Sequence, residues 1–247
     1  MIESKDQPRK ICIWEEGGDM IRVKGIDCGN EPTSHSLVAF FDKRRGVEQL
    51  YDFMHKNVYH FFVNLETAMH MCARTGNESI LLAMVNKIGP GAVQIVQNKK
   101  SKNGWSPLLE ACARGHVGVS RILLQHHARI DVFDDAGRTA LHLASANGHI
   151  ELAKLLLKYK AFVNSKAKNG EAPLHLAAQY GHPRVVSMLI QEHGASLEAI
   201  TLDNQTALHF SAKYGQLVVA QTLLALGANP NARDDKGQTP LHLAAEV

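Results

Sequence analysis

One phrase recurs along this chain at a fixed step. The stretches "DDAGRTALHLASANGH", "KNGEAPLHLAAQYGH", "LDNQTALHFSAKYGQ" and "DDKGQTPLHLAAE" are variants of it. Its leucine falls at Leu108, Leu141, Leu174, Leu208 and Leu241, at steps of 33, 33, 34 and 33. Its glycine falls at Gly115, Gly148, Gly181 and Gly215, at steps of 33, 33 and 34. Two landmarks that keep one step describe a stack of small units, each unable to bury its own apolar face alone. The single extra residue lies between Gly181 and Gly194, near "QEHG". A more divergent copy, "ETAMHMCARTGNESILLAMV", comes first; its Met69 is 39 residues before Leu108, so about six further residues sit in "IGPGAVQIVQNKKSKNG".

Within each unit the local chemistry predicts two short helices. Thr139, Thr206 and Thr239 suit an N-cap, where the hydroxyl accepts from an orphan backbone N–H. Pro107, Pro173 and Pro240 follow at the first helical position, where no N–H is required. Leu141, Leu143 and Ala144 then give an apolar face at helical spacing, and Gly148 ends the helix as a left-handed cap. In the second helix, "IELAKLLLKYK", Leu152, Leu155 and Leu156 face inward, and "NSKAKNG" and "NARDDKG" read as polar turns. Asn204 stands where other copies carry the turn glycine, a conformation Asn tolerates. His127 and Lys160 replace the glycine seen at Gly194 and Gly227, and should cap less well. Leu109 replaces the repeat histidine in "WSPLLEACARGH".

The pattern T-[PA]-L-H, then G-H, L-L and G-A, resembles the ankyrin repeat. The resemblance implies an all-α solenoid of helix-turn-helix pairs with hairpin-like loops. The expected organisation is an unassigned segment over 1–64, a divergent repeat with insertion over 65–100, repeats over 101–133, 134–166, 167–200 and 201–233, and a truncated repeat over 234–247. The residues expected to hold the shape are Thr139, Leu141, His142 and Gly148 in one unit, Pro173, Leu174, His175 and Gly181 in the next, then Thr206, Leu208, His209 and Gly215, and finally Thr239, Pro240, Leu241 and His242. In the ankyrin pattern the recurring imidazole bridges neighbouring turns. The chain stops inside the first helix of its last unit, which leaves that end uncapped and reads as a fragment.

Chemistry finds little foothold. A net charge of +3 in 247 residues demands neither nucleic acid nor a membrane surface. The four cysteines, Cys12, Cys28, Cys72 and Cys112, show no metal or disulfide framework, and Cys72 and Cys112 occupy small-residue packing positions. Histidines spaced one per unit along a rod do not converge on a metal. No Gly-rich phosphate loop, GxSxG or HExxH is present, "NKKSK" reads as a solvated hairpin tip, and no signal peptide or membrane-spanning run appears. The expectation is therefore a non-enzymatic chain without cofactor or metal, which binds protein partners through its surface. Phe133 and Leu202 stand at hairpin tips where polar residues are usual, and are the candidate partner contacts.

The residues outside the shared phrase carry a second resemblance. "GNESILLAMVNKIG", "AVQIVQNKKSKNGWSPLLEACARGHVGV", "HHARIDVFD", "KAFVNSK", "HGASLEAITLDNQTALHFSAKYGQL" and "ALGANPNARDDKGQTPLHLAAE" are similar to the ankyrin region of the TRPN, or no-mechanoreceptor-potential C, channels, from near Leu65 to the end. That family is of tetrameric cation channels whose long cytoplasmic ankyrin helix acts as a tether to microtubules and passes force to the pore. The resemblance implies interior repeats of that tether without the pore, on the cytoplasmic side of a plasma-membrane channel, with neighbouring channel subunits and microtubules as partners. The alternative is a soluble ankyrin adaptor.

Overall fold

A computed structural model describes residues 10–16, 20–26, 38–42, 69–88, 93, 97–98, 100–101 and 104–246. Helices come in pairs. After a helical turn over residues 69–75 come α1 (Glu78–Ile88), α2 (Pro107–Arg114) and α3 (Val117–Gln125), then α4 (Ala140–Ala146) and α5 (Ile150–Lys158). Next are α6 (Pro173–Gln179), α7 (Pro183–Ser187) with a π-helical turn over Met188–Glu192, α8 (Ala207–Lys213), α9 (Leu217–Ala225) and α10 (Pro240–Ala244).

Two layers result. First helices pack on first helices in the order α2, α4, α6, α8, α10; second helices pack on second helices in the order α1, α3, α5, α7, α9. The core runs between the layers. Leu109, Leu123, Leu152, Leu156, Leu189 and Leu223 are wholly buried there, and Leu155 is half-buried. Each first helix is only seven or eight residues long in the interior units, too short to persist alone in water. Its stability comes from the neighbours that cover its apolar side.

Tight approach between units explains the glycines. Gly148 has φ +71°, and a Cβ there would lie 2.7 Å from Nδ1 of His182 in the next unit. At Gly170, φ +81°, a Cβ would lie 2.6 Å from the backbone nitrogen of Leu202, which cannot swing aside. Asn204, His127 and Lys160 adopt left-handed backbone too, at φ 56°, 67° and 69°.

The extra residue of the 167–200 unit is taken up in the second helix. In three units the alanine after the second helix donates five residues back: Ala128 to Leu123 O at 2.9 Å, Ala161 to Leu156 O at 3.0 Å, and Ala228 to Leu223 O at 3.0 Å. Ala195 instead donates six back, to Leu189 O at 2.8 Å, across the π turn. Leu189 and Ala195 are both buried, so the bulge absorbs the insertion without opening the stack.

Ahead of the array, in the segment left unassigned by sequence, three antiparallel strands form a sheet in the order β1 (Lys10–Glu16), β2 (Met20–Ile26), β3 (Val38–Asp42), with Lys10 opposite Ile26 and Met20 opposite Asp42. Cys28, residues 43–68 and residues 89–92 of the insertion lie outside the described residues.

Candidate binding surface

The recurring histidines form a ladder. His142 Nδ1 accepts from its own cap, Thr139 N–H, at 3.1 Å, and Nε2 donates to Glu171 O of the next hairpin at 3.0 Å. His175 accepts from Ala172 N–H at 3.0 Å and donates to Ala199 O and Gln205 O at 2.9 and 3.1 Å. His209 accepts from Thr206 N–H at 3.1 Å and donates to Gln238 O at 3.2 Å. His70, in the divergent unit, donates to Trp105 O at 2.9 Å, a role that the "TAMH" of that unit already spells. At Leu109 the rung is absent, and Ser106 Oγ alone caps α2 through Leu109 N–H, at 3.4 Å. Burial pushes His142 and His175 down to about 4, so both are neutral donors at neutral pH.

A second ladder runs the other way. His116 donates to Arg74 O at 3.1 Å, His182 to Ala146 O at 2.9 Å and Gln216 to Gln179 O at 3.1 Å. Each satisfies a carbonyl at the C-terminal end of the preceding first helix, where such groups lack intrahelical partners.

Leu141, Leu174 and Leu208 are buried beneath the following unit. Leu241 is 77% exposed and His242 is also exposed. His242 still closes its own cap, accepting from Thr239 N–H at 3.2 Å, but no described unit lies beyond it to take the outward contacts. Gly148, Gly181 and Gly215 are left-handed, at φ 71°, 76° and 66°. Pro173 and Pro240 open α6 and α10, and Thr139, Thr206 and Thr239 precede α4, α8 and α10.

Phe133 is 53% exposed, with Lys100 Nζ 4.8 Å from its ring centroid. Leu202 is 70% exposed, and its backbone N–H is tied to Asn169 O at 3.0 Å. The two do not share a row: stepping by one unit, Phe133 aligns with Lys166, Ile200 and Arg233, whereas Leu202 aligns with Asp135, Lys168 and Asp235. The sequence reading missed Tyr180 and Tyr214, 53% and 45% exposed at the C-caps of α6 and α8. Their signal was available: both stand directly before the repeat glycine, in the pair of positions that varies from unit to unit. Lys213 Nζ lies 5.8 Å from the Tyr214 ring, which stacks at 6.3 Å on Phe210, itself edge-on to His175 at 5.3 Å. Tyr214 thus sits on a fixed platform.

Burial pushes the Cys72 and Cys112 thiols up to about 12, which leaves them protonated and inert. Among the described residues no group of three His, Cys, Asp or Glu could hold a metal ion, and no helix is long and apolar enough to cross a membrane. An open groove of about 710 Å³ crosses the second-helix layer beside the π turn, lined by His149, Arg184 and Met188 among others and spanned by the Lys154–Glu192 ion pair at 3.1 Å.

Comparison with known proteins agrees with this geometry. A family model described as ankyrin repeats (3 copies) matches in overlapping stretches over 36–134, 69–167, 131–201, 162–234 and 198–247. A stretch of 42 residues is 50% identical to Rabankyrin-5 of Homo sapiens, covering 17% of this chain and 4% of that protein, and Rabankyrin-5 of Mus musculus gives the same figures. A stretch of 71 residues is 39% identical to Transcription factor TOXE of Cochliobolus carbonum, covering 28% of this chain and 16% of that protein. The chain therefore spans only a small part of the length of these curated relatives. Its 33-residue step, paired helices and histidine ladder, together with a family match over residues 36–247, make it a member of the ankyrin-repeat family.

Proposed function

We propose that this chain binds protein along the face formed by its hairpin tips and the C-terminal ends of its first helices, and that it is a segment of the force-transmitting tether of a TRPN-like cation channel. The observation that carries binding is the pair Tyr180 and Tyr214, half-exposed at the same position of successive units, with the Tyr214 ring set beside Phe210. Rigid aromatic side chains with one polar atom give large contact area at small entropic cost. Leu202 and Ile200 at one hairpin tip, and Phe133 further along, extend the apolar contact.

The tether reading is supported by the similarity to the TRPN ankyrin region in residues that the shared ankyrin phrase does not dictate. It is supported also by mechanics. Two hydrogen-bond ladders tie the units in opposite directions, and small rotations at each junction add up to an elastic rod. On this reading the chain carries no pore, its partners are neighbouring subunits and microtubules, and it works on the cytoplasmic side of the membrane. The experiment is to sequence the full transcript: further repeats leading to six apolar spans are the expected result, and a transcript without spans overturns the tether.

A soluble adaptor is the second reading, favoured by the tyrosine pair, because a partner-binding face suffices for that role. Tyr180→Ser with Tyr214→Ser should weaken capture of the partner by roughly tenfold or more. An unchanged affinity removes that face from either reading.

A further inference from the structure

A third ladder joins the turns that follow the second helices, and one of its rungs is missing. Asn98 Oδ1 accepts from Arg129 N–H at 2.9 Å, Asn164 Oδ1 from Ser196 N–H at 3.0 Å, and Glu198 Oε1 from Asn229 N–H at 2.8 Å. Stepping by one unit places Asp131 and Phe162 at the remaining junction. There Asp131 turns to Arg129 instead, at 3.1 Å from Nε and 2.8 Å from Nη2. The Phe162 N–H finds no acceptor among the described residues. Its ring, at a position that is Arg, Ser or Asn in the other units, is 71% exposed.

Cations surround this open donor in sequence. Lys158, the last residue of α5, and Lys160, on the turn after it, are exposed and enter no ion pair among the described residues. Lys160 moreover holds a left-handed backbone, φ 69°, where the two following units use glycine. A lysine kept in a conformation that disfavours it, beside an unused donor and an exposed ring, marks a functional position rather than a shape-holding one. The neighbouring carboxylate, Asp131, is neutralised by Arg129.

We propose that the end of α5 and the turn after it, with Lys158, Lys160 and Phe162, form a second docking site, which takes an acidic peptide segment of a protein partner. A carboxylate of the partner accepts the Phe162 N–H in place of the missing rung, the two lysines set its sign, and an adjacent apolar side chain covers the Phe162 ring. This site lies on the turns after the second helices, away from Tyr180 and Tyr214 on the first-helix ends, so it stands whether or not that other face binds.

The test uses the full chain and a fluorescein-labelled peptide in which Asp and Glu alternate with Leu, followed by anisotropy. Lys160→Gly and Phe162→Ser should each weaken binding roughly tenfold, while Lys236→Ala, an equal loss of charge elsewhere, should change it less than about twofold. Asp131→Asn is the sharper variant. Attraction by charge alone predicts tighter binding, because an acid is removed; the proposal predicts weaker binding, because an amide at this position completes the rung as Asn98 and Asn164 do. The Phe162 amide should exchange rapidly in the free chain and slow on adding the peptide. Equal losses at Lys160 and Lys236, tighter binding by Asp131→Asn, or binding to phosphatidylserine vesicles in preference to the peptide would each overturn the proposal.

Discussion

The first-helix layer and the turns that follow the second helices meet opposite standards of regularity. Along the first helices the same imidazole ties its own cap to the next hairpin in His142, His175 and His209, and every one of these rings is buried. Along the turns the residue at the bridging position is Asn, Asp, Asn and Glu in succession, the Asp leaves its rung open, and one second helix carries a π turn. A buried donor cannot be left unpaired without a large desolvation cost, so the first layer admits little change. Turns in contact with water can exchange one acceptor for another. Shape is held where burial forbids variation, and recognition has room where it does not.

The largest way to break that contrast is His175→Ala. It empties a buried site and strips three backbone groups, Ala172 N–H, Ala199 O and Gln205 O, of their partner. A loss of roughly 3–5 kcal/mol in urea unfolding follows from a buried cavity plus unsatisfied groups. Replacing the exposed Ser196, whose side chain bridges nothing, should cost under about 0.5 kcal/mol.

Acid sharpens the same contrast. His142 and His175 have folded values of about 4 against 6.5 in the unfolded chain. The unfolded state therefore binds more protons between those values. The stability that the neutral rings contribute is complete above pH 6.5 and is lost as pH falls towards 4, on the order of 3 kcal/mol for each ring. Urea midpoints measured from pH 7 to pH 4 should fall steeply, and His175→Gln, which cannot titrate, should flatten the fall. An equal slope in the two proteins would mean that other groups carry the acid sensitivity.

How much of this could be read beforehand depends on the physical range of each signal. The helix pairs were legible because caps, prolines and apolar spacing are local, and the period multiplied each weak cue several-fold. The extra residue near "QEHG" was visible, but not its fate: a one-residue surplus can be spent in a loop or in a helix, and only packing of Leu189 and Ala195 on their neighbours selects the π turn. The tyrosines were missed because an aromatic at a helix end is apolar in either setting, and exposure depends on which unit faces it. The sheet over residues 10–42 left a trace in "MIRVKGI", where Ile21 and Val23 alternate with Arg22 and Lys24. A period of two is invisible to a search for a period of 33. The open rung at Phe162 was beyond sequence altogether, since Asp131 is as capable an acceptor as Asn164 and its choice of Arg129 is a matter of geometry.

One buried group interrupts the rule for the first layer. Ser145 is wholly buried in α4 and its Oγ has no partner among the described residues. The equivalent residues are Cys112, Ala178 and Ala212. Ser145→Ala should raise stability by roughly 1 kcal/mol, because the hydroxyl is desolvated without return. A decrease would show that the hydroxyl is satisfied in solution by a group such as an ordered water.

The smallest effects separate three left-handed residues that a backbone argument alone would treat alike. Lys160 and His127 keep φ near 68° with no side-chain hydrogen bond among the described residues to hold them there. A left-handed L-residue costs about 1–2 kcal/mol relative to its preferred basin, and glycine gives some of that back through its freer unfolded chain. Lys160→Gly and His127→Gly should therefore each stabilise by roughly 0.5–1 kcal/mol. Asn204 differs in two respects: Asn visits this region more readily, and its amide donates to the Asp235 carboxylate of the next hairpin. Asn204→Gly gives up that bond, so its gain should vanish or turn into a loss of a few tenths of a kcal/mol. Equal gains at all three positions in urea unfolding would mean that the Asn204–Asp235 contact adds nothing, and that the hairpin tips are as free to vary as the turns that follow the second helices.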